Sequence, residues 1–586
     1  MRDASFRAGA TAAVLWVLLC LRWFDVAAPW RPAALSAVPP ALLLLGLAAA
    51  LALFVRGRRA ILCGTPLGPH AKALGLLLLL AFCFRLPTVA GGAGAAVTAD
   101  GALSGIVALH LLDGSERLVF VPHVPYSGSL KSHVTAPLAL ALDPARAFAL
   151  ASVLFYLAYV AGLFRLALVV SGPRAALLAG LYAAFSPAFV TRYSLSNDGN
   201  YVELLALGTW ALWFAVRFTL EPGHRPQLAL AAGLLLGLGF WCHILAVIHL
   251  AALALLFVLV TRLQAPRPLL ALGAGAAIGY APGWLWNLAN GWQSFQYLIP
   301  GQARAGEAGE AGLAAISLGL GEKLWLMLTD HAPVLMGYDT GYGPIVDRAL
   351  LVAAWIATAA AVAAGVRVAR RAIREHSWPL AALLVFAATN LVIALVALPH
   401  VPDNPRYLLF LMSVLPVLLA DACVEPVAAT PPPLGRARPK LATLLLGLMI
   451  ATGALASLAQ LPTTLAQDAR WRSFVSELER EGVRFCYTDF FLATRINFLS
   501  AERVVCSAKL GPFTTEYFFA YRERVERAPE AALIPVNRTA ASRLERRLAE
   551  LGVTFERRDL VKPVLFRLSR KVDPEELFPG REFPMR

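Results

Sequence analysis

The chain has 586 residues, of which 58% are hydrophobic and only 15% charged, and its mean hydropathy is +0.64. A water-soluble globule cannot hide that much apolar side chain, so most of the chain must be solvated by lipid. The formal net charge of +15 does not point to nucleic acid: the basic residues gather in short clusters beside apolar runs, where Lys and Arg mark the cytoplasmic side, and no aromatic-studded basic groove accompanies them.

The first apolar run, 8–24, follows Arg2 and Arg7 and ends near Val26-Ala27-Ala28, a pattern that a signal peptide also shows. A second run, 33–55, follows almost at once, which favours an uncleaved first span with the N-terminus inside. Further runs, each near the roughly 20 residues that a bilayer-crossing helix needs, lie at 71–89, 146–170, 174–191, 202–219, 227–242, 244–261, 268–286, 349–366, 379–398, 406–422 and 441–462. The sequence therefore predicts a polytopic α-helical membrane protein with about thirteen transmembrane helices. The basic clusters at 56–59, 217–225, 262–267, 367–374 and 436–440 then all face the cytoplasm, and the segments 90–145, 192–201 and 287–348 face outward.

From about Ala466 the composition turns charged and mixed. LEREGVRFCYTDF and RLAELGVTFERRDL each read as a helix end, a glycine, and a strand beginning at Val, the signature of a small α/β unit. The expected organisation is a membrane domain over 1–462 and a small extracytoplasmic α/β soluble domain over 463–586. Of the seven Cys, five lie in or beside apolar runs as small buried hydrophobes; Cys486 and Cys506 fall on two adjacent predicted strands in an oxidising compartment, where a disulfide and two free thiols are both open readings.

Charged residues outside the cytoplasm are few, so each is a candidate for chemistry. In VTADGALSGIVALHLLDG, Asp100 precedes Leu103, Ile106, Val107, His110 and Leu111, which share one face at helical spacing. This predicts a short helix along the membrane surface with Asp100 at its start, as a helix cap or as a reactive carboxylate. Next comes FVPHVPYSGSLKSHV, with His123, Tyr126 and Lys131. RYSLSNDGNYVE brings Asp198 and Glu203, where Asn-Asp-Gly is also an ordinary turn. LTDHAPVLMGYDTGYGP brings Asp330, His331 and Asp339 in a long loop, and His243 sits at a hairpin tip and reads as structural.

The order of these pieces resembles the first extracytoplasmic loop of the GT-C membrane glycosyltransferases, especially bacterial proteins related to protein O-mannosyltransferases and lipid A aminoarabinose transferases. The carriers of the likeness are Asp100-Gly101-Ala102, the helix Gly105 to Gly114, Tyr126-Ser127-Gly128-Ser129-Leu130-Lys131, GYAPGWLWNLANGW from Gly279, and NPRYLLFLMSVLPVLLA from Asn404. Gly101 stands where the family has a Glu, and Lys131 where it has a later one.

The resemblance implies a GT-C-like fold in a bacterial inner membrane and transfer of a sugar from a polyprenyl-phosphate donor to an acceptor glycan, lipid or protein, with inversion at the anomeric carbon. Membrane lipid is the other expected partner. Asp100 is then the general base, Arg406 the first donor-phosphate ligand and Lys131 the second. Asp198, His331 and Tyr126 are candidates for a second acid or a substrate contact, and a divalent metal would need more carboxylates than Asp100 and Asp198 alone. The rival readings are a flippase or transporter of a lipid-linked precursor, which calls for charged spans and repeated halves, and a non-catalytic glycan-assembly scaffold.

Overall fold

A computed structural model describes residues 2–26, 33–62, 67–93, 97–196, 199–221, 225–262, 264–298, 319–397, 405–424 and 437–578. The apolar runs become helical, and among the described residues seven helices are long and apolar enough to cross a membrane, or eight when the pair Arg267–Gly279 and Ala281–Ala289, bent by 65°, is one span. The expected thirteen is therefore not met by length. Pro226–Cys242 and Ala246–Thr261 fall just short, and two runs are broken. The run 174–191 divides into Pro173–Ala184 and Ala188–Tyr193 around Ser186-Pro187. The run 406–422 divides into a 3-10 helix, Arg406–Ser413, and Leu415–Ala422, with Pro416 in the first turn of the second piece. Proline supplies no N–H and crowds the preceding turn, so each break falls where a continuous ladder would fail.

Helices pack where side chains are small. Pro226–Cys242 lies against Arg267–Gly279 so closely that a Cβ on Gly237 would sit 2.1 Å from the Ala276 carbonyl oxygen. In lipid, where apolar surface gains little from burial, such close backbone approach is what holds helices together.

One 44-residue helix, Ala437–Arg480, crosses the expected domain boundary at 462/463 without a linker. It emerges from the bundle and becomes the first helix of the C-terminal unit. Both expected helix–glycine turns form, with the strands starting at Phe485 and Glu556 and not at the Val: Gly482 and Gly552 have φ of 77° and 66°, and Val483 and Val553 donate back to the Leu478 and Leu548 carbonyls. After a hairpin in the first loop, β1 (Phe120–Val121) and β2 (Val124–Gly128), the unit supplies β3 (Phe485–Tyr487), β4 (Val505–Ser507), β5 (Ala532–Leu533), β6 (Glu556–Asp559) and β7 (Pro563–Phe566). The sheet order is β4-β3-β5-β7-β6, with β3 parallel to β4 and β5 and the β7 pairings antiparallel. Cys486 and Cys506 are register partners on β3 and β4 and form a disulfide.

The helix Ala99–Asp113 departs from expectation. It does not lie with one face on lipid but is buried over most of its length, between Leu130–Leu138 of the first loop and Phe490–Leu499 of the C-terminal unit. The face opposite its apolar stripe is small, and Phe498 fills it: a Cβ on Gly105 would lie 2.4 Å from that ring.

Polar contacts fasten the same joint. Arg495 Nε donates to the Val97 carbonyl (2.9 Å), and His110 sits between Glu116 (2.9 Å) and Glu502 (3.1 Å), with Tyr521 donating to Glu502 (2.5 Å). Burial opposes charge on His110, but the hydrogen bonds to the two carboxylates outweigh it and raise its pKa to about 9. The folded pKa thus exceeds the unfolded one of about 6.5, so this contribution to stability is full below that value and is lost as pH rises through about 9. Thermal unfolding of the C-terminal unit, followed in the detergent-solubilised full chain, should shift to lower temperature across that window. His110→Gln should flatten the shift.

Candidate functional site

The site is organised around the loop between Leu195 and Tyr201. Asn200 adopts a left-handed conformation (φ 58°) at the tip of Tyr201–Leu220, a backbone state that Asn tolerates better than most residues. Its side-chain Nδ2, with two N–H donors, lies within hydrogen-bond distance of three acceptors, Ser127 Oγ (3.0 Å), the Gly128 carbonyl (3.0 Å) and the Cys242 carbonyl (2.8 Å), so one N–H is shared. One buried amide thus ties the Tyr-Ser-Gly-Ser segment, the span tip and the hairpin at His243 together. Ser127 also forms a β-bridge with His243, and Gly128 fits because any Cβ there would lie 2.0 Å from the Trp241 carbonyl oxygen.

Around this knot the rings converge. Tyr126 meets His243 (centroids 5.7 Å) and Tyr297 (4.6 Å), while Tyr201 meets His243 (5.4 Å), Tyr193 (5.7 Å) and Tyr407 (6.3 Å). Arg406 enters the same basket. Its guanidinium lies 5.1 Å from the Tyr407 ring centroid, Nη2 donates to the Tyr407 hydroxyl (3.3 Å), and Tyr193, Tyr201 and His243 are within its electrostatic reach. Among the described residues it has no carboxylate partner, and its Nε is buried without a hydrogen-bond partner. A positive charge held among phenols and imidazole in this way can pair with an anion, and its planar fork suits two oxygens at once.

The two expected cations part company here. Lys131 is 1% exposed; its Nζ lies 3.9 Å from Glu203 Oε1, 3.4 Å from the Ser196 carbonyl and 4.1 Å from the Phe148 ring centroid. Glu203 is fully buried in the first turn of Tyr201–Leu220, so the ammonium is the cation that faces it. Lys131, expected as a second phosphate ligand, thus lies inside the bundle beside Glu203.

Asp100 is exposed, at the second position of its helix. It is not the cap: Thr98 fills that role, its Oγ1 accepting from the Gly101 N–H (3.1 Å). Asp198 lies outside the described residues, two positions before Asn200. His331 is buried in a π-helical turn, Met327–His331, 3.9 Å from Asp330, and the helix that follows packs against Ala188–Tyr193. Among the described residues no group of three or more His, Cys, Asp or Glu converges as a metal cage. Tyr193, Tyr201 and His243 were not singled out by sequence as site residues; their signal was the concentration of aromatic and polar side chains at three separate span tips.

Residues 134–286 match the family model described as dolichyl-phosphate-mannose-protein mannosyltransferase. That segment holds Glu203, Tyr201 and His243 but not Asp100, Tyr126 or Arg406. No curated sequence relative matches the chain. The fold is similar to that of ArnT from Cupriavidus metallidurans in the apo state (14% identity, TM-score 0.56, 84% of this chain and 98% of that one). It is likewise similar to the same protein bound to undecaprenyl phosphate (12% identity, TM-score 0.54, 86% and 98%).

Gly128→Ala tests the knot. The added methyl meets backbone, not a mobile side chain, so the cost should be about 1–3 kcal/mol. A fall in thermal stability of the purified chain should appear without loss of its membrane insertion.

Proposed function

We propose that this protein, which has the fold of the GT-C membrane glycosyltransferases, transfers a sugar from a polyprenyl-phosphate donor to an acceptor at the extracytoplasmic face of the bacterial inner membrane. The observation that carries the reading is Arg406: a half-buried guanidinium in an aromatic basket, lacking a carboxylate partner among the described residues. It gives the departing phosphate a fixed counter-charge at no cost of reorganisation.

The chemistry follows from that placement. An acceptor hydroxyl oxygen attacks the anomeric carbon from the face opposite the phosphate; the carbon–oxygen bond to phosphate breaks, its electron pair leaves on the polyprenyl phosphate, and the hydroxyl proton passes to the Asp100 carboxylate. One displacement inverts the centre. Asp100 takes the role because it is exposed at the start of a helix clamped on both sides, so a carboxylate of limited freedom faces accessible space. Tyr126 and His243 are positioned to contact the donor beside Arg406. Asp198 remains the candidate second acid of the neighbouring loop.

Two substitutions should separate the roles in purified protein reconstituted in lipid nanodiscs and offered a panel of polyprenyl-phosphate sugars. Asp100→Asn should lower transfer about 10²–10⁴-fold while undecaprenyl phosphate still binds. Arg406→Gln should weaken that binding by about 1.5–3 kcal/mol, the worth of a charged hydrogen bond. Full transfer by Asp100→Asn overturns the base assignment. Lipid translocation without any sugar transfer favours the flippase reading.

A further inference from the structure

We propose that the protein carries a second lipid site, separate from the Arg406 basket, that holds one acyl chain of an anionic membrane phospholipid with its phosphate at Arg348. The site is a groove of about 400 Å³ between Pro344–Arg374 and the long helix Ala437–Arg480. Ala353, Ala357 and Ala360 form one wall, Leu445 and Met449 the other, and Arg348 stands at one end. The volume lies within the roughly 300–1,000 Å³ range of ligand sites.

Position identifies the occupant. Both walls belong to helices long and apolar enough to cross a membrane, so the medium that fills the groove is hydrocarbon, not water. The groove stays open where Ala353, Ala357 and Ala360, with their short side chains, face Leu445 and Met449. Arg348 sits in the first turns of its helix, is exposed, and has no ion pair among the described residues. A cation at the end of a membrane helix, above an unfilled apolar slot, matches a phosphate with a chain below it.

The lipid is a phospholipid of the bilayer and not a second donor, because the groove brings its own cation while the donor phosphate is taken by Arg406. Its role follows from what it braces. The groove reaches Met336 and Gly337, and Gly337 lies against Pro187, where a Cβ would be 3.9 Å from the proline Cβ. On the other wall, Gly453 abuts the same turn, with a Cβ there 3.0 Å from the Phe185 carbonyl oxygen. That turn launches Ala188–Tyr193 and hence Tyr193 of the basket. An acyl chain in the slot therefore supports the element behind the site.

This inference stands whether or not the protein transfers sugar. The full chain is purified in detergent, delipidated, reloaded with phosphatidylglycerol and weighed by native mass spectrometry. The unaltered chain should retain one phosphatidylglycerol more than the double variant Ala353→Leu/Ala357→Leu, which fills the groove. Arg348→Gln, which leaves the walls intact and guards against a folding artefact, should bind it about fivefold more weakly, the effect of one basic residue at a membrane surface. Equal retention by all three proteins overturns the proposal. So does displacement of the retained lipid by an equimolar amount of undecaprenyl phosphate, which would make the groove part of the donor site.

Discussion

The arrangement of the candidate site rests on the side-chain amide of Asn200. Three pieces of chain far apart in sequence, the first-loop strand, the tip of Tyr201–Leu220 and the turn after Pro226–Cys242, each leave a polar group facing the others. At the end of a membrane bundle such groups have little water to turn to, and each one left unmade is costly. Asn200 satisfies them with one amide, and its left-handed backbone lets the span begin immediately afterwards. Tyr126, Tyr201 and His243 meet because that amide leaves them no other place.

Charge is distributed around this knot by the same economy. Glu203 and Lys131 are both buried, and each makes the other tolerable. A second buried cation, Arg85, is met by Ser194 Oγ, Ser186 Oγ and the Ala81 and Ala184 carbonyls, so it clamps both ends of the segment that carries Tyr193. Arg406 differs from both in having phenols and no acid around it among the described residues. Arg85 and Lys131 are thus buried with their partners inside the fold, while Arg406 is half-buried among aromatic rings.

Sequence made part of this legible. Apolar runs of about the right length gave the helices, and glycine followed by Val gave both turns of the C-terminal unit, because each is a local rule that a short window obeys. The Cys486–Cys506 pairing rests on two strands being neighbours; the sequence placed the two Cys on adjacent strands but left disulfide and free thiols both open. The partner of Lys131 was invisible for a physical reason: Glu203 is 72 positions away by the sequence numbering, and nothing local to either residue distinguishes a buried ion pair from a phosphate ligand. The burial of Ala99–Asp113 was hidden likewise, since Gly105 becomes a receptor for a ring only once Phe498 arrives.

Two of the short spans and the location of the candidate site have one cause. Helical backbone in lipid satisfies its own polar groups, so a span can be broken only where protein or an enclosed cavity replaces the missing bonds. Two of the runs that break deliver Tyr193, beyond Ser186-Pro187, and Arg406 with Tyr407, in the 3-10 segment before Pro416. Breaking them turns the chain ends inward and shortens the helices below a full crossing. A sequence scored for continuous apolar length sees two ordinary spans there; the prolines within them mark where the bundle gives up regularity to hold a charge among aromatic rings.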